Sequence, residues 1–311
     1  MIPMQKTLSG RAWAELMILS LIWGASFLSV HVALEEIGPL TSVAHRTFWA
    51  MLILWSYVAL RRLPLPRDPA IWGAFLIMGL LNNVIPFGLM AWGQLHIETG
   101  LTAIMNASTA IFGGITAAIF LADERMTLRK AVGAGLGFFG VATAIGLSAL
   151  TQFDIRSLGQ LAVLGGAFSY ALAGVWARKN LAGLTPQVAA AGMLAGSTLI
   201  AVPLAWALEG PISLNLQPQT WVAIGYYAVI ATALAYLLYY RVLAMAGSGN
   251  LLLVTLLVAP VAITLGAVVL GEALPLRAYA GFALLASGLV IHDGRLVKAV
   301  QHRTRRAQGR G

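Results

Sequence analysis

Ten times along this chain a run of about 20 apolar residues ends at a short connection marked by charge, Pro or Gly. About 20 residues in a helix rising roughly 1.5 Å each cover the roughly 30 Å of a bilayer's hydrocarbon, so each run reads as one transmembrane helix. The runs lie near residues 12–34, 40–60, 70–92, 99–121, 128–149, 157–177, 186–208, 219–241, 248–270 and 276–292. They use most of the chain and leave no room for a soluble domain. The pattern therefore predicts an all-α integral membrane protein of ten transmembrane helices. The first run follows Lys6 and Arg11, lacks a small-residue cleavage site and leads straight into further runs, so it reads as a helix and not as a signal peptide.

The runs repeat. Sliding residues 115–140 onto 263–288 aligns Ile115 with Ile263, Thr116 with Thr264, Glu124 with Glu272, Leu128 with Leu276, Arg129 with Arg277, Gly133 with Gly281, Leu136 with Leu284 and Gly140 with Gly288. Chance in such apolar text gives roughly three identities, so the chain is a duplicated unit. With a one-residue slip the pairing continues upstream, setting Trp72 against Trp221, Ala74 against Ala223 and Gly100 against Gly249. Residues 1–150 form the first five-helix repeat, 151–294 the second and 295–311 a basic tail. Five is an odd number, so the second copy enters the membrane from the other side. Such inverted repeats place a pseudo-two-fold axis in the membrane plane, and secondary transporters use it to open one central site alternately to either side by rocking of the two halves.

Apolar residues make up 59% of the chain and charged residues 10%, against roughly 45–50% and about 25% in soluble domains. The net charge of +9 is placed by topology. Of the 20 Lys and Arg residues, all but Arg46, Arg156 and Arg277 fall in the tails and the even-numbered connections, which puts both termini in the cytoplasm. The tail from Arg295 reads as an anchor that touches anionic lipid, with no call for nucleic acid. The absence of cysteine removes disulfides and thiolate metal sites. The five histidines lack the spacing of a metal site, so no cofactor, metal or membrane-enzyme chemistry is expected. Partners reduce to a small solute and membrane lipid, and nothing in the chain specifies an oligomer.

Three segments carry a family likeness: WGASF at 23–27, FLADERMTLRKAVGAGLGFFGV at 120–141, and AP followed by LGEALPLRAYAGFALLASGLV between 259 and 290. With them the chain resembles the drug/metabolite transporter superfamily, EamA type, and within it bacterial amino-acid exporters of the YddG kind. The resemblance implies a bacterial inner-membrane carrier, and the direction of export rests on it alone. Small multidrug exporters, distant relatives, keep a Glu well inside their first helix. Here Glu15 lies within about a turn of the first helix's start, which weakens the alternative of a proton-coupled organic-cation exporter. A channel or passive facilitator is a further alternative.

Neutral polar groups do reach mid-membrane, where an unsatisfied amide is costly. Asn82 and Asn83 sit at the centre of the third run with Pro86 one turn later, a proline that frees a backbone carbonyl. Its repeat mate, the eighth run, carries Tyr226, Thr232 and Tyr236, while Tyr239 and Tyr240 read as interfacial aromatics. Asn106 and Thr109 share a face of the fourth run, and Thr255 with Pro260 marks the ninth. Ser169 and Tyr170 in the sixth run, and Trp23 and Ser26 in the first, complete a lining of amides, hydroxyls and aromatics with little fixed charge, with Pro86 and Pro260 as hinges. Such a lining suits neutral or zwitterionic solutes such as amino acids. His45 and Arg46, near one end of the second run, could meet a carboxylate at the exit or snorkel. Glu124 and Glu272 read as helix-end anchors paired with nearby loop arginines. Gly133, Gly135, Gly137, Gly140, Gly281 and Gly288 give the fifth and tenth runs small-residue faces that brace the fold.

Overall fold

The computed structural model describes residues 8–97, 99–152, 154, 157–270 and 275–293, and all of its regular structure there is helical. The first half holds α1 (Gly10–Leu34), α2 (Pro39–Leu60), α3 (Pro69–Gly79), α4 (Ile85–Gln94), α5 (Thr99–Ala107), α6 (Thr109–Phe120) and α7 (Leu128–Ile145). The second holds α8 (Leu158–Asn180), α9 (Pro186–Glu209), α10 (Pro218–Gly225), α11 (Ala235–Ala246), α12 (Ser248–Leu251), α13 (Val254–Leu270) and α14 (Leu276–Asp293). Among the described residues seven rods are long and apolar enough to cross a membrane: α1, α2, the continuous Pro69–Gln94, α7, α8, α9 and the continuous Pro218–Ala246. The sequence sets many of their ends. Pro39, Pro69, Pro186 and Pro218 open helices at the position where a missing N–H costs nothing, and the side chains of Ser9, Asp68, Thr127 and Thr185 cap first turns.

Two rods are not regular α-helix, and both contain a π-helical stretch. Leu80–Val84 joins α3 to α4, and Tyr226–Leu234 joins α10 to α11. Adding the repeat offset of 149 to residues 80–84 gives 229–233, inside the second stretch, so the duplication extends to this distortion. Pro86 follows the first stretch, as its lack of an N–H requires. The carbonyls left over are met from neighbouring helices: Ser169 Oγ donates to Leu81 O at 2.7 Å, and Trp23 Nε1 donates to Ala231 O at 2.9 Å.

Helix contacts come in pairs related by exchanging the halves. α1 packs on α13 as α8 packs on α6; α4 packs on α8 as α10 and α11 pack on α1; α3 packs on α9 as the Tyr226–Leu234 stretch packs on α2. α2 meets α9, and α7 meets α14, across the axis itself. The last pair is antiparallel and close. A methyl at Gly140 would lie 2.5 Å from Leu285 N, one at Gly133 2.6 Å from His292 Cβ, and one at Gly288 2.6 Å from Gly137 N. Of the expected small residues, Gly135 faces open space and has no such role.

Carboxylates tie the halves together at both ends. Glu124 is buried and bonds the N–H groups of Ser248 and Gly249, each at 2.8 Å, with Arg178 Nε 3.3 Å away. Arg178 also pairs with Asp123 at 2.5 Å. Glu124 thus pairs with an arginine on α8 of the other half. Gly247, at φ 85°, turns the chain so tightly there that a methyl would lie 2.5 Å from Glu124 Oε1. At the opposite end Glu209 accepts from Leu40 N and Thr41 N, and Glu36 from Gln217 N. Glu272 and the basic tail lie outside the described residues.

Candidate functional site

A cavity of about 120 Å³ lies where the halves meet. Since one ordered water needs roughly 10–15 Å³ of such space, it holds on the order of ten waters, or a solute of similar size. Of the residues expected there, Trp23, Ser26, Asn82, Asn106, Tyr170, Tyr236 and Thr255 line it. They come from α1, the π-helical stretch before α4, α5, α8, α11 and α13, so neither half makes the cavity alone. Ser26 spends its hydroxyl proton on Trp23 O of its own helix, and Thr255 on Leu252 O in the turn before α13.

Five expected residues do not line it, and each has a packing explanation. Asn83 is fully buried one helical step from Asn82; its Nδ2 donates to Ser197 Oγ at 2.6 Å and its Oδ1 accepts from the Tyr236 hydroxyl. Thr109 is buried beyond the break at Ser108 that separates α5 from α6. Ser169 serves the Leu81 carbonyl, and Tyr226 donates to Ile22 O at 3.1 Å. Thr232 stands behind the lining and accepts from Arg46 Nε at 2.7 Å. Of the two proposed hinges, Pro86 occupies the first turn of α4 and Pro260 lies inside the continuous α13.

Arg46 is the principal correction. It lines the cavity with 9% of its surface exposed, and its guanidinium lies 4.0 Å from the centre of the Phe87 ring and 5.9 Å from that of Tyr227. The lining therefore holds one fixed positive charge. It separates from His45, which turns to Trp49 and Trp221. Tyr239 and Tyr240 are corrected too: both are buried, and Tyr239 joins Trp23 and Tyr236 in an aromatic wall with ring centres 5.8–6.4 Å apart. Ser42, Phe87 and Gln94 complete what sequence reasoning missed. A seven-residue step from the first residue of α2 would have placed Arg46 two turns inside that helix.

Glu15 lies outside the lining. It is 5% exposed and bonded by Arg11 Nε at 3.1 Å and Arg241 Nη2 at 2.5 Å. Among the described residues no cluster of His, Asp or Glu could hold a metal.

A family model described as the EamA-like transporter family matches residues 10–146 and 157–292. A transporter of Bacillus subtilis strain 168, YvbV, is 25% identical over 279 residues, 89% of each chain. A Salmonella typhimurium protein described as a probable amino-acid metabolite efflux pump is 26% identical over 289 residues, 89% of this chain and 92% of its own. One crystal structure superposes with a TM-score of 0.75 over 92% of this chain and 97% of the other, at 18% identity, a likeness of fold.

Proposed function

Because the chain belongs to the EamA-like transporter family, whose model fits each half, we propose that it is a bacterial inner-membrane carrier that exports small neutral or zwitterionic metabolites, amino acids foremost. Ten crossings, both termini cytoplasmic, would make residues 1–150 and 151–294 inverted repeats about the cavity, with 295–311 as the basic cytoplasmic tail. The cavity carries this reading: it is assembled from both halves, is sized for a metabolite, and is walled by aromatics and amides. Rocking of the halves would open it to either side in turn, with Pro86 and Pro260 as flexible points. The described lining contains no carboxylate that could carry a proton, which favours movement uncoupled from protons over an exchange for them. The same observation disfavours an organic-cation exporter driven through Glu15, whose carboxylate is committed to two arginines.

Counterflow in liposomes tests the reading. Purified protein preloaded with an unlabelled amino acid should take up the same labelled amino acid without a proton gradient, and Asn82→Ala should lower that uptake several-fold. Uptake that appears only with a gradient, is confined to organic cations and depends on Glu15 would sink the proposal in favour of the drug exporter.

A further inference from the structure

Among the described residues that line the cavity, one carries a formal charge, Arg46, and none is Asp or Glu. Among the described residues no carboxylate forms an ion pair with it. A guanidinium this deeply buried is costly unless it is paired. It is nonetheless held rigidly. Nε is fixed by Thr232 Oγ1 at 2.7 Å, Nη2 reaches Ala231 O at 3.4 Å, and the Phe87 ring stacks on it. Among the described residues Nη1 has no hydrogen bond, which leaves an edge of the fork for a bound group. A planar cation fixed at one edge and open at the other is shaped for a carboxylate.

A second, independent observation stands in the same lining. Asn106 is 8% exposed, and its Oδ1 is buried with no hydrogen-bond partner among the described residues. A buried amide oxygen left unpaired is unusual in native structures and calls for a donor. Both residues line one cavity, beside the aromatic wall of Trp23, Tyr236 and Tyr239.

Resting on the transporter reading above, we infer that Arg46 docks the carboxylate of the solute and Asn106 accepts from its ammonium, so that the cavity selects free α-amino acids over their amides and amines. Amides offer Arg46 no charge, and simple amines add a second cation beside it. The aromatic wall takes the side chain, which sets no strict identity for it.

Thermal unfolding of the purified full-length protein in detergent tests this without relying on movement. L-Leucine, L-methionine, L-phenylalanine and L-threonine are each titrated beside their amides and decarboxylated amines. At least one acid should stabilise the protein, with its amide and amine weaker by about tenfold or more, the effect of losing charge-assisted hydrogen bonds. Arg46→Gln should remove that discrimination, and Arg46→Lys, which keeps the charge without the fork, should restore part of it. Asn106→Leu should weaken the acid several-fold and leave 4-methylpentanoate or 3-phenylpropionate, which have no ammonium, unchanged. The comparison of acid with amide on the unaltered protein stands whether or not Arg46→Gln folds. Equal or greater stabilisation by the amides or amines, or none by any acid, overturns the inference. If those same amides or amines show counterflow, the transporter reading survives it; absence of counterflow for every solute overturns both.

Discussion

Asn82 and Asn83 are neighbours in sequence with different tasks, because one residue is about 100° of helix. Asn82 lines the cavity, whereas Asn83 is sealed between Ser197 and the Tyr236 hydroxyl. Asn83→Leu should therefore lower stability by about 1–3 kcal/mol, since two buried polar partners lose their bond, and thermal unfolding in detergent would show it. Asn82→Ala should move that transition less, since its bond to Met193 Sδ is weak at 3.4 Å, while weakening solute binding. The pair of amides was legible as a wet or hydrogen-bonded site; which residue did which was not, because periodicity gives a face only once the helix is docked. The depth of Arg46 was hidden for another reason. The sequence reading set it near one end of its run, to meet a carboxylate or snorkel, but seven residues at about 1.5 Å each from Pro39 carry it roughly 10 Å inward. Tyr239 and Tyr240 were misplaced in the same way, since α11 continues to Ala246.

At the scale of elements, the small-residue faces were readable because glycine at helical spacing has few other uses in an apolar run. What could not be read was which glycines meet backbone. Gly140 does, with Leu285 N and Gly281 O at 2.5 and 2.8 Å from a methyl there, and Gly135 meets nothing. Gly140→Leu should push α7 from α14 and cost about 1–3 kcal/mol or more, while Gly135→Leu should be nearly neutral; unfolding of the two variants side by side checks the difference. The π-helical stretches had only Pro86 as a partial signal. The second stretch has no proline, and hydrogen-bond register leaves no mark in a hydropathy pattern. The first gives Asn82 to the cavity lining and the second holds Arg46 through Thr232, as such distortions often do at functional sites.

For the whole molecule, the duplication was legible from paired residues such as Gly133 with Gly281, and the contacts between helices follow it. The ties between halves were not, because Glu124 finds Arg178 and the Ser248 backbone far along the chain. The cavity lining reaches Pro39 and Gln94, at the end away from these ties. Glu124→Gln combined with Arg178→Gln should loosen the end bearing Arg125 and Arg129. In this cysteine-free chain the change can be read with a single reporter: Leu252→Cys should react faster with a polar thiol reagent added from that face in the double variant. An unchanged rate would show that the ties do not hold that end shut.

Arg46 also bears on voltage. A zwitterion adds no net charge to a site that already holds one fixed cation, so the loaded and the empty cavity would carry the same charge as they change sides. A membrane potential acts on a moving charge by about 2.3 kcal/mol per 100 mV, and here it would act equally on the outward and the return stroke. Net flow would then be electroneutral and follow the solute's own gradient, as in an overflow valve, which relieves an excess inside the cell and cannot build one outside.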